Sequence, residues 1–451
     1  MRVAILAAGE GVRLRPLTEH RPKHAIPVAG RPIIHHLIEA FRQNGVRRFT
    51  VVVGYLREVI ESYLLDGGNL GVKIDYVHQR EAKGTADAAA QLQDRIDEPR
   101  FILCYGDIYI SLTAAARVVK AFDEESVQAA LAVVKAKDQE RYGLVTVEDG
   151  YVKGIVEKPR RPPSNSFANA GMYIFERSIF KGIKSTSRSP RGEFELTGSI
   201  AKLLESGIRI KSITINQEDW IDIGRPWDLL EANERALQTL RSSISGDVES
   251  GAVLIGPVIV RPGVRILSGT RIEGPVYIGE ESVVGPNCYI RKYTSIGKNV
   301  RVGNGCEIKN CIVMDHTKIP HQSYLGDSII GERCNLGAGT MTGNLRLDGK
   351  SVRMKIRNKT VDSGRRKLGA IVGDGVSTGV NVNLMPGVKI GSGTLIGPGI
   401  TVYGDLKSNL KILVRQRAVI KKVMPDRIPG GRELGRDGIG RVQKEVPEPL
   451  A

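Results

Sequence analysis

Two periods divide the chain. Through residues 1–240, short apolar runs alternate with stretches whose apolar positions recur at helical spacing. The runs 3–8, 49–53, 72–77 and 101–104 read as strands, and 32–43, 56–65 and 86–94 as helices. Strands separated by helices predict βαβ units and a mostly parallel sheet covered on both faces. A ligand crevice should then lie at the carboxyl ends of its strands. Residues 223–240 read as a long final helix, opened by Arg225-Pro226-Trp227-Asp228.

From about residue 251 the period becomes six. Leu254, Val260, Ile266, Ile272, Ile278, Val284, Ile290, Ile296, Val302 and Ile308 follow one another at that spacing, most with a small or branched residue two positions earlier. An i, i+2 pair points to one face, so each hexad is a very short strand with two inward side chains. Neither a helix nor a hairpin repeats every six residues; a left-handed parallel β-helix does. Glycines 279, 285, 297 and 303 follow the aliphatic position, where a corner is expected to need unusual backbone angles. The register breaks over 313–325, pauses over 341–370 and fades after Leu406. The expected organisation is α/β. A Rossmann-like sheet domain over 1–240 and a linker over 241–250 precede the β-helix over 251–410, and a basic tail over 411–451 follows it.

Composition narrows the classes. The 451 residues exceed one ordinary core, and no run of 18 apolar residues marks a membrane span. The opening MRVAILAAGEG reads as a strand rather than a signal peptide, so a cytoplasmic enzyme is expected. Five cysteines without a CxxC pair suit a reducing compartment and no disulfide framework. The charge of +17, from 66 Lys and Arg against 49 Asp and Glu, needs anionic partners. With only 5% aromatic residues, small polyanions are expected, not nucleic acid or a membrane surface. The surplus of glycine (52 residues) is assigned mainly to corners and phosphate turns.

The first strand runs into LAAGEGVRLRPLTEHRPKHAIPVAG. Gly9-Glu10-Gly11 lacks the third glycine of a dinucleotide fingerprint, and no GxxxxGK[ST] loop is present. With Arg13, Arg15 and Lys23 it forms a glycine-rich turn bearing cations, suited to a triphosphate. On these residues alone, a plain strand–turn–helix with solvent-facing cations is the alternative. The segment nevertheless resembles the opening of the sugar-1-phosphate nucleotidylyltransferases. The likeness continues through Gln79, Gly84-Thr85, Tyr105-Gly106-Asp107, Tyr142-Gly143, Glu157-Lys158-Pro159, Asn169-Ala170-Gly171 and Trp220-Ile221-Asp222-Ile223-Gly224. The resemblance implies that Leu6, Ala8, Gly9, Gly11, Gln79, Gly84 and Thr85 bind nucleotide, with Arg13 and Lys23 catalytic in the phosphate pocket. It implies further that Gly143, Glu157, Lys158 and Asn169 hold the sugar phosphate, and that Asp107 and Asp222 share Mg²⁺.

In the second half, the break at Pro320-His321-Gln322-Ser323-Tyr324-Leu325-Gly326-Asp327 is followed by Asn335, a GAGT stretch at 337–340, Asn344 and Lys350. A lone loop histidine is ordinarily a solvent-exposed group, but this order resembles the acetyltransferase half of GlmU-type bifunctional enzymes. The overall likeness is to archaeal bifunctional sugar-1-phosphate nucleotidylyltransferase/acetyltransferases. It implies His321 as the base that takes a proton from an amino sugar and Asn344, or a backbone N–H, at the oxyanion. Arg291, Lys309, Tyr324, Asn335 and Lys350 would hold the sugar phosphate, and Ala370 would contact acetyl-CoA. In place of the Asn-Tyr-Asp-Gly of the bacterial enzymes stands Asn344-Leu345-Arg346-Leu347-Asp348-Gly349-Lys350, followed by an unusually basic stretch over 351–367.

The expected protein is a bifunctional enzyme, assembled as a homotrimer through its β-helix. It would acetylate glucosamine-1-phosphate or galactosamine-1-phosphate and transfer a uridylyl or thymidylyl group from UTP or dTTP. The rival readings are a monofunctional nucleotidylyltransferase (for glucose-1-phosphate or mannose-1-phosphate) whose β-helix only oligomerises or regulates, and a non-catalytic regulatory subunit.

Overall fold

The structure, a computed structural model, describes residues 1–415 and 420 apart from 125–127, 160 and 164. Of the basic tail expected over 411–451, all but 411–415 and 420 lies outside the described residues.

Nine strands form the sheet of the first half. In chain order they are β1 (Arg2–Ala7), β2 (Arg48–Val53), β3 (Lys73–His78), β4 (Arg100–Tyr105), β5 (Ala129–Val134), β6 (Gly143–Glu148), β7 (Tyr151–Glu157), β8 (Phe167–Glu176) and β9 (Ile210–Ile215). They lie in the order β3-β2-β1-β4-β8-β5-β9-β7-β6, with β3 to β4 mutually parallel and β8 antiparallel to its neighbours. All six residues of β1 are buried. Val3, Ile5 and Ala7 enter the core on one side of the sheet, while Ala4, Leu6 and Ala8 enter the core on the other. This is why its sequence is a continuous apolar run rather than an alternation. Helices Ile33–Gln43 and Leu112–Asp123 cover the first face; Thr85–Ala90, Ile179–Lys184 and Leu196–Glu205 cover the second.

The second half is a three-sided prism of parallel strands, a left-handed β-helix. Its faces hold eight, nine and eight strands among the described residues. The first coil begins at Ser243–Ile244 and Asp247–Val248, inside the stretch expected as a linker, and both segments pair in register with the coil above. Ile266, Ile272, Ile278 and Ile290 are fully buried along the axis. Of the four corner glycines, Gly285 takes the expected positive φ, 116°, while the other corners differ from expectation. The left-handed residue comes three positions after the inward aliphatic and is often not glycine: Glu281, Asn287 and Asn299 have φ of 59°, 55° and 52°. Gly279 and Gly303 serve close approach instead. A Cβ at Gly303 would lie 1.9 Å from the carbonyl oxygen of Pro320 in the next coil.

The breaks in period over 313–325 and 341–370 share one place. Between regular coils the offset is 18 residues (Ile278 pairs with Ile296), but Ser295 pairs with Ile312 and Ile312 with Ile329, each 17 apart. Ile329 then pairs with Ile371, 42 residues on. Both deletions and the insertion fall at the corner that leads from the third face to the first. Two stacked corners there, around Asn310 and Asp327, are one residue short, and the next carries a long excursion. That excursion, over 343–370, contains the antiparallel hairpin Arg353–Ile356 and Lys359–Asp362.

Residues 1–413 form one unit. Leu14, Leu17, Trp227 and Leu230 of the first half share a buried cluster with Tyr277, Ile312, Met314, Ile329, Val352 and Met354 of the second. Several polar links cross this seam, among them Glu19 accepting from the Ser408 hydroxyl at 2.7 Å. Asn233 on helix Pro226–Gln238 accepts from the Ala29 N–H and the Ser295 hydroxyl, each at 2.8 Å, and donates to the Tyr293 carbonyl at 2.8 Å. Arg21 grips Asp374 with both guanidinium nitrogens, at 3.1 and 3.0 Å, and reaches Glu332 at 2.8 Å. Arg21 and Asp374 are both buried.

Arg21→Ala strands the Asp374 carboxylate in the seam, so a loss of about 3–5 kcal/mol is expected in denaturant titrations. Arg21→Met combined with Asp374→Leu should lose far less, because no unpaired charge is left behind. Burial holds the imidazoles of His24, His35 and His36 at about 3, about 3 and about 4, below the ordinary 6.5. Each stays neutral in the folded chain while the unfolded chain takes up a proton. Stability should therefore fall as pH drops through 6.5 towards 4, by about 1.4 kcal/mol per pH unit per histidine. His35→Gln should make that slope shallower than the wild-type one.

Candidate active sites

A cavity of about 650 Å³ opens at the carboxyl ends of β1 and β4, a size that suits a nucleotide and a sugar. Every residue of the first half that the family resemblance assigns to the site lines it, from Leu6 and Ala8 through Asp222, whereas Arg15 does not and pairs with Glu10 instead. The turn after β1 brings Gly9 and Gly11 over the Lys23 side chain; at Gly11 (φ 72°) a Cβ would lie 2.9 Å from that of Lys23. Gly84, with φ 127°, packs so closely that a Cβ would meet the Phe194 carbonyl oxygen at 2.3 Å. This contact locks the 84–85 turn, and Thr85 Oγ1 accepts from the Leu196 N–H at 2.9 Å. Gln79, which lines the cavity, donates to Asp87 at 2.7 Å and to the Gly84 carbonyl at 3.4 Å.

The two aspartates meet through a small separate sheet. Ile108–Ile110 pairs antiparallel with Trp220–Asp222, placing Asp222 opposite Ile108, and the Ile223 N–H donates to the Asp107 carbonyl at 2.9 Å. Burial would raise the pKa of both carboxyls. At Asp107 the Lys23 ammonium, which contacts it directly, outweighs burial and holds it below the usual carboxylate range. At Asp222 burial and the neighbouring Asp107 charge prevail and push it up. Two crowded carboxylates, one of them disfavoured as an anion, make a donor pair that a divalent cation would relieve.

Three further residues hold this arrangement. Arg141 reaches Asp228 at 3.2 Å and Asp222 at 3.7 Å. Asp228 caps helix Pro226–Gln238, accepting from Gly224 and Arg225 N–H groups at 3.0 and 2.8 Å, and burial pushes its carboxyl up to about 6. Arg191 bridges Glu157 and Glu195, at 3.3 and 3.0 Å. Glu157 also accepts from Thr197 at 3.1 Å and pairs with Lys158 at 3.0 Å. Asn169 accepts from the Gly171 N–H and donates to the Tyr173 hydroxyl, which fixes its amide beside Gly143. Arg141 adjoins the Tyr142-Gly143 motif and Asp228 closes the Arg225-Pro226-Trp227-Asp228 segment, but Arg191 carries no sequence signal.

Part of the second set of candidates gathers on the third face of the prism. Asp327 organises one end. It accepts from the side-chain N–H groups of Asn310 at 2.8 Å and Asn344 at 2.6 Å, with the Lys309 ammonium at 3.8 Å. Asn344 also donates to the Tyr324 hydroxyl at 3.2 Å. A carboxylate can only accept, so both amide hydrogens of Asn344 are engaged and an oxyanion would be left to backbone N–H groups. Arg291 lies on the same face, paired with Glu307 at 2.8 Å. His321 is exposed at the opposite end of this face, in the turn leading into Tyr324–Gly326. Asn335 is exposed on the second face, and Lys350 on the excursion, where its N–H donates to Asp348. Ala370 is fully buried in the prism core, and its N–H and C=O are taken by Ser328 and Ile329, so it presents no free polar group.

The sheet, the phosphate turn and the paired aspartates define a nucleotidyltransferase, here fused to a hexapeptide β-helix. The Nucleotidyl transferase family profile matches residues 2–239, and the GMPPB C-terminal domain profile matches residues 272–363. The Bifunctional protein GlmU of Methanocaldococcus jannaschii is 41% identical over 429 residues, covering 94% of this chain and 100% of that protein. The bifunctional sugar-1-phosphate nucleotidylyltransferase/acetyltransferase of Sulfurisphaera tokodaii is 40% identical, covering 90% and 98%. The chain belongs to the nucleotidyl transferase family, in its bifunctional GlmU-type branch.

Gly84→Ala should lower nucleotide affinity at least tenfold while the chain stays folded, because the 84–85 turn must move away from Phe194. Calorimetric titration with UTP, alongside circular dichroism, checks both halves of that expectation.

Proposed function

We propose that the first half couples a sugar-1-phosphate to UTP or dTTP, and that the second acetylates the amino group of glucosamine-1-phosphate or galactosamine-1-phosphate from acetyl-CoA. The observation that supports the reading most is the meeting of Asp107 and Asp222 in one cavity with Arg13, Lys23 and the glycine turn. A phosphate oxygen of the sugar-1-phosphate attacks the α-phosphorus of the nucleotide. One P–O bond forms, the bond to the bridging oxygen breaks, and pyrophosphate leaves. Two anions must approach each other, so charge neutralisation and positioning are most of the catalysis. Arg13 and Lys23 supply positive charge, while Gly143, Glu157, Lys158 and Asn169 orient the sugar phosphate. Asp107 and Asp222 would hold Mg²⁺, which supplies Lewis-acid charge at the phosphates; two carboxylates leave its other positions to phosphate oxygens and water.

In the second half the amine attacks the thioester carbonyl, His321 takes the amine proton, the C–S bond breaks, and the thiolate of CoA leaves and is protonated. Arg291, Lys309 and Tyr324 lie together on the face where the sugar phosphate would sit. His321 stands at one edge of that face and Asn335 on the next face. Together with exposed Val253, Ile255, Met341 and Leu395 on the second and third faces, this favours a site completed between copies, in a homotrimer. The reading places the enzyme in the cytoplasm; among the described residues no helix is long and apolar enough to cross a membrane.

Asp107→Asn should abolish pyrophosphate release by at least a hundredfold and leave thiol release from acetyl-CoA intact, and His321→Ala should do the reverse. Measuring both products with glucosamine-1-phosphate, acetyl-CoA and UTP separates the two activities. If each variant retains both, the assignment is wrong.

A further inference from the structure

The charge balance of the nucleotide cavity points beyond the half that carries its motifs. Most of its cations are already committed. Lys23 lies against Asp107, Arg141 against Asp228, Lys158 and Arg191 against Glu157, and Arg225 against Asp138. Among the described residues, three lining cations stand without a carboxylate partner: Arg13, Arg357 and Lys359. Two of those three come from the excursion of the β-helix.

The hairpin's own pattern explains how they get there. Val352, Met354 and Ile356 are buried in the seam, while Arg353, Lys355 and Arg357 between them are exposed. That alternation docks one side of the hairpin against the first half and carries its turn to the cavity, which Ile356, Arg357, Lys359 and Val361 help to line. The turn itself is unusual. Arg357 adopts φ 54° in a two-residue connection, a conformation that Asn or Gly takes more readily.

We propose that Arg357 and Lys359 are phosphate-binding residues of the nucleotidyl-transfer site, supplied to it by the β-helix half. The inference rests on the nucleotidyl-transfer reading above. The ligand chemistry is a phosphate group not yet neutralised by the paired cations, carried either by the nucleoside triphosphate or by the sugar-1-phosphate. Arg357 offers a planar fork for two phosphate oxygens and Lys359 a point charge beside it.

The test uses the full chain and three variants: Arg357→Ala with Lys359→Ala, the charge-conserving Arg357→Lys with Lys359→Arg, and Lys355→Ala. Lys355→Ala removes one positive charge from the same hairpin, against two in the double alanine variant, at a residue that does not line the cavity. UTP and glucose-1-phosphate are titrated separately by calorimetry, and pyrophosphate release is followed in the same preparations. The double alanine variant should bind one of the two ligands at least tenfold more weakly, and the ligand affected identifies the phosphate. Lys355→Ala should stay within twofold of wild type, and the charge-conserving variant should recover most of the loss. Unchanged affinity of the double alanine variant for both ligands overturns the proposal, as does an equal loss in Lys355→Ala, which would mean only a general field. A wild-type chain that releases pyrophosphate with an unaffected double variant refutes this inference alone; one that neither binds nor turns over either ligand refutes the nucleotidyl-transfer reading with it.

Discussion

The buried seam between the two halves is the constraint on which the rest of the molecule depends. A three-sided prism and a doubly covered sheet can each close their own cores, and a flexible joint would suffice to keep them on one chain. Here they share side chains instead. Trp227 and Leu230 pack with Tyr277, Ile312 and Met354, so neither surface is complete without the other. The polar members of the seam give it a single register. Asn233 uses its carbonyl for two donors and its amide for one acceptor, and the Arg21 fork meets both oxygens of Asp374. Apolar contact alone tolerates sliding; buried hydrogen bonds of fixed geometry do not. The hairpin over the nucleotide cavity, held by Val352, Met354 and Ile356, depends on this fixed orientation.

Within the prism, geometry confines irregularity. Each side carries inward side chains two residues apart, and each corner must turn the chain by about a third of a circle in a few residues. A residue lost or gained along a side would rotate the inward positions outward. At a corner it changes only the connection. The two short corners and the long excursion all occupy the same edge, where Asn310, Asp327 and Asn344 stack in successive coils and bond one another through their side chains. Asn310 and Asp327 adopt left-handed backbone conformations that asparagine and aspartate tolerate better than most residues. The polar ladder along that edge thus serves the backbone first and the candidate acetyltransferase face second.

Much of this was legible in the sequence, and the remainder was hidden for identifiable reasons. The period of six named the prism because no other regular element repeats at that interval, and Ile266, Ile278 and Ile290 point inward as the hexads require. The strands of the first half were readable where burial on both faces demands an unbroken apolar run, as in Arg2–Ala7. Motif resemblance named Asp107 and Asp222, but not the two-strand sheet that joins them, because pairing across so many residues leaves no local trace. The corner glycines were read as conformational when Gly279 and Gly303 are steric, and the left-handed role falls to residues such as Glu281 and Asn299. Arg191 reaches Glu157, 34 residues away, and Asp327 gathers Asn310 and Asn344 from the coils before and after it, pairings that the motif around each residue does not display. The basic stretch over 351–367 was visible as charge, but only the alternation of Val352, Met354 and Ile356 against the seam shows where that charge is delivered.

The edge that carries the long excursion has a consequence for how such a chain can change. Because an excursion there leaves the pitch of the prism untouched, with Ile371 and Lys389 resuming the ordinary offset of 18, its length is free of the coil count. A segment at this edge can grow, shrink or be exchanged without re-tiling the coils above and below it. The prism then behaves as a calibrated rail, and whatever is hung at that notch is presented at a fixed height to the domain clamped alongside.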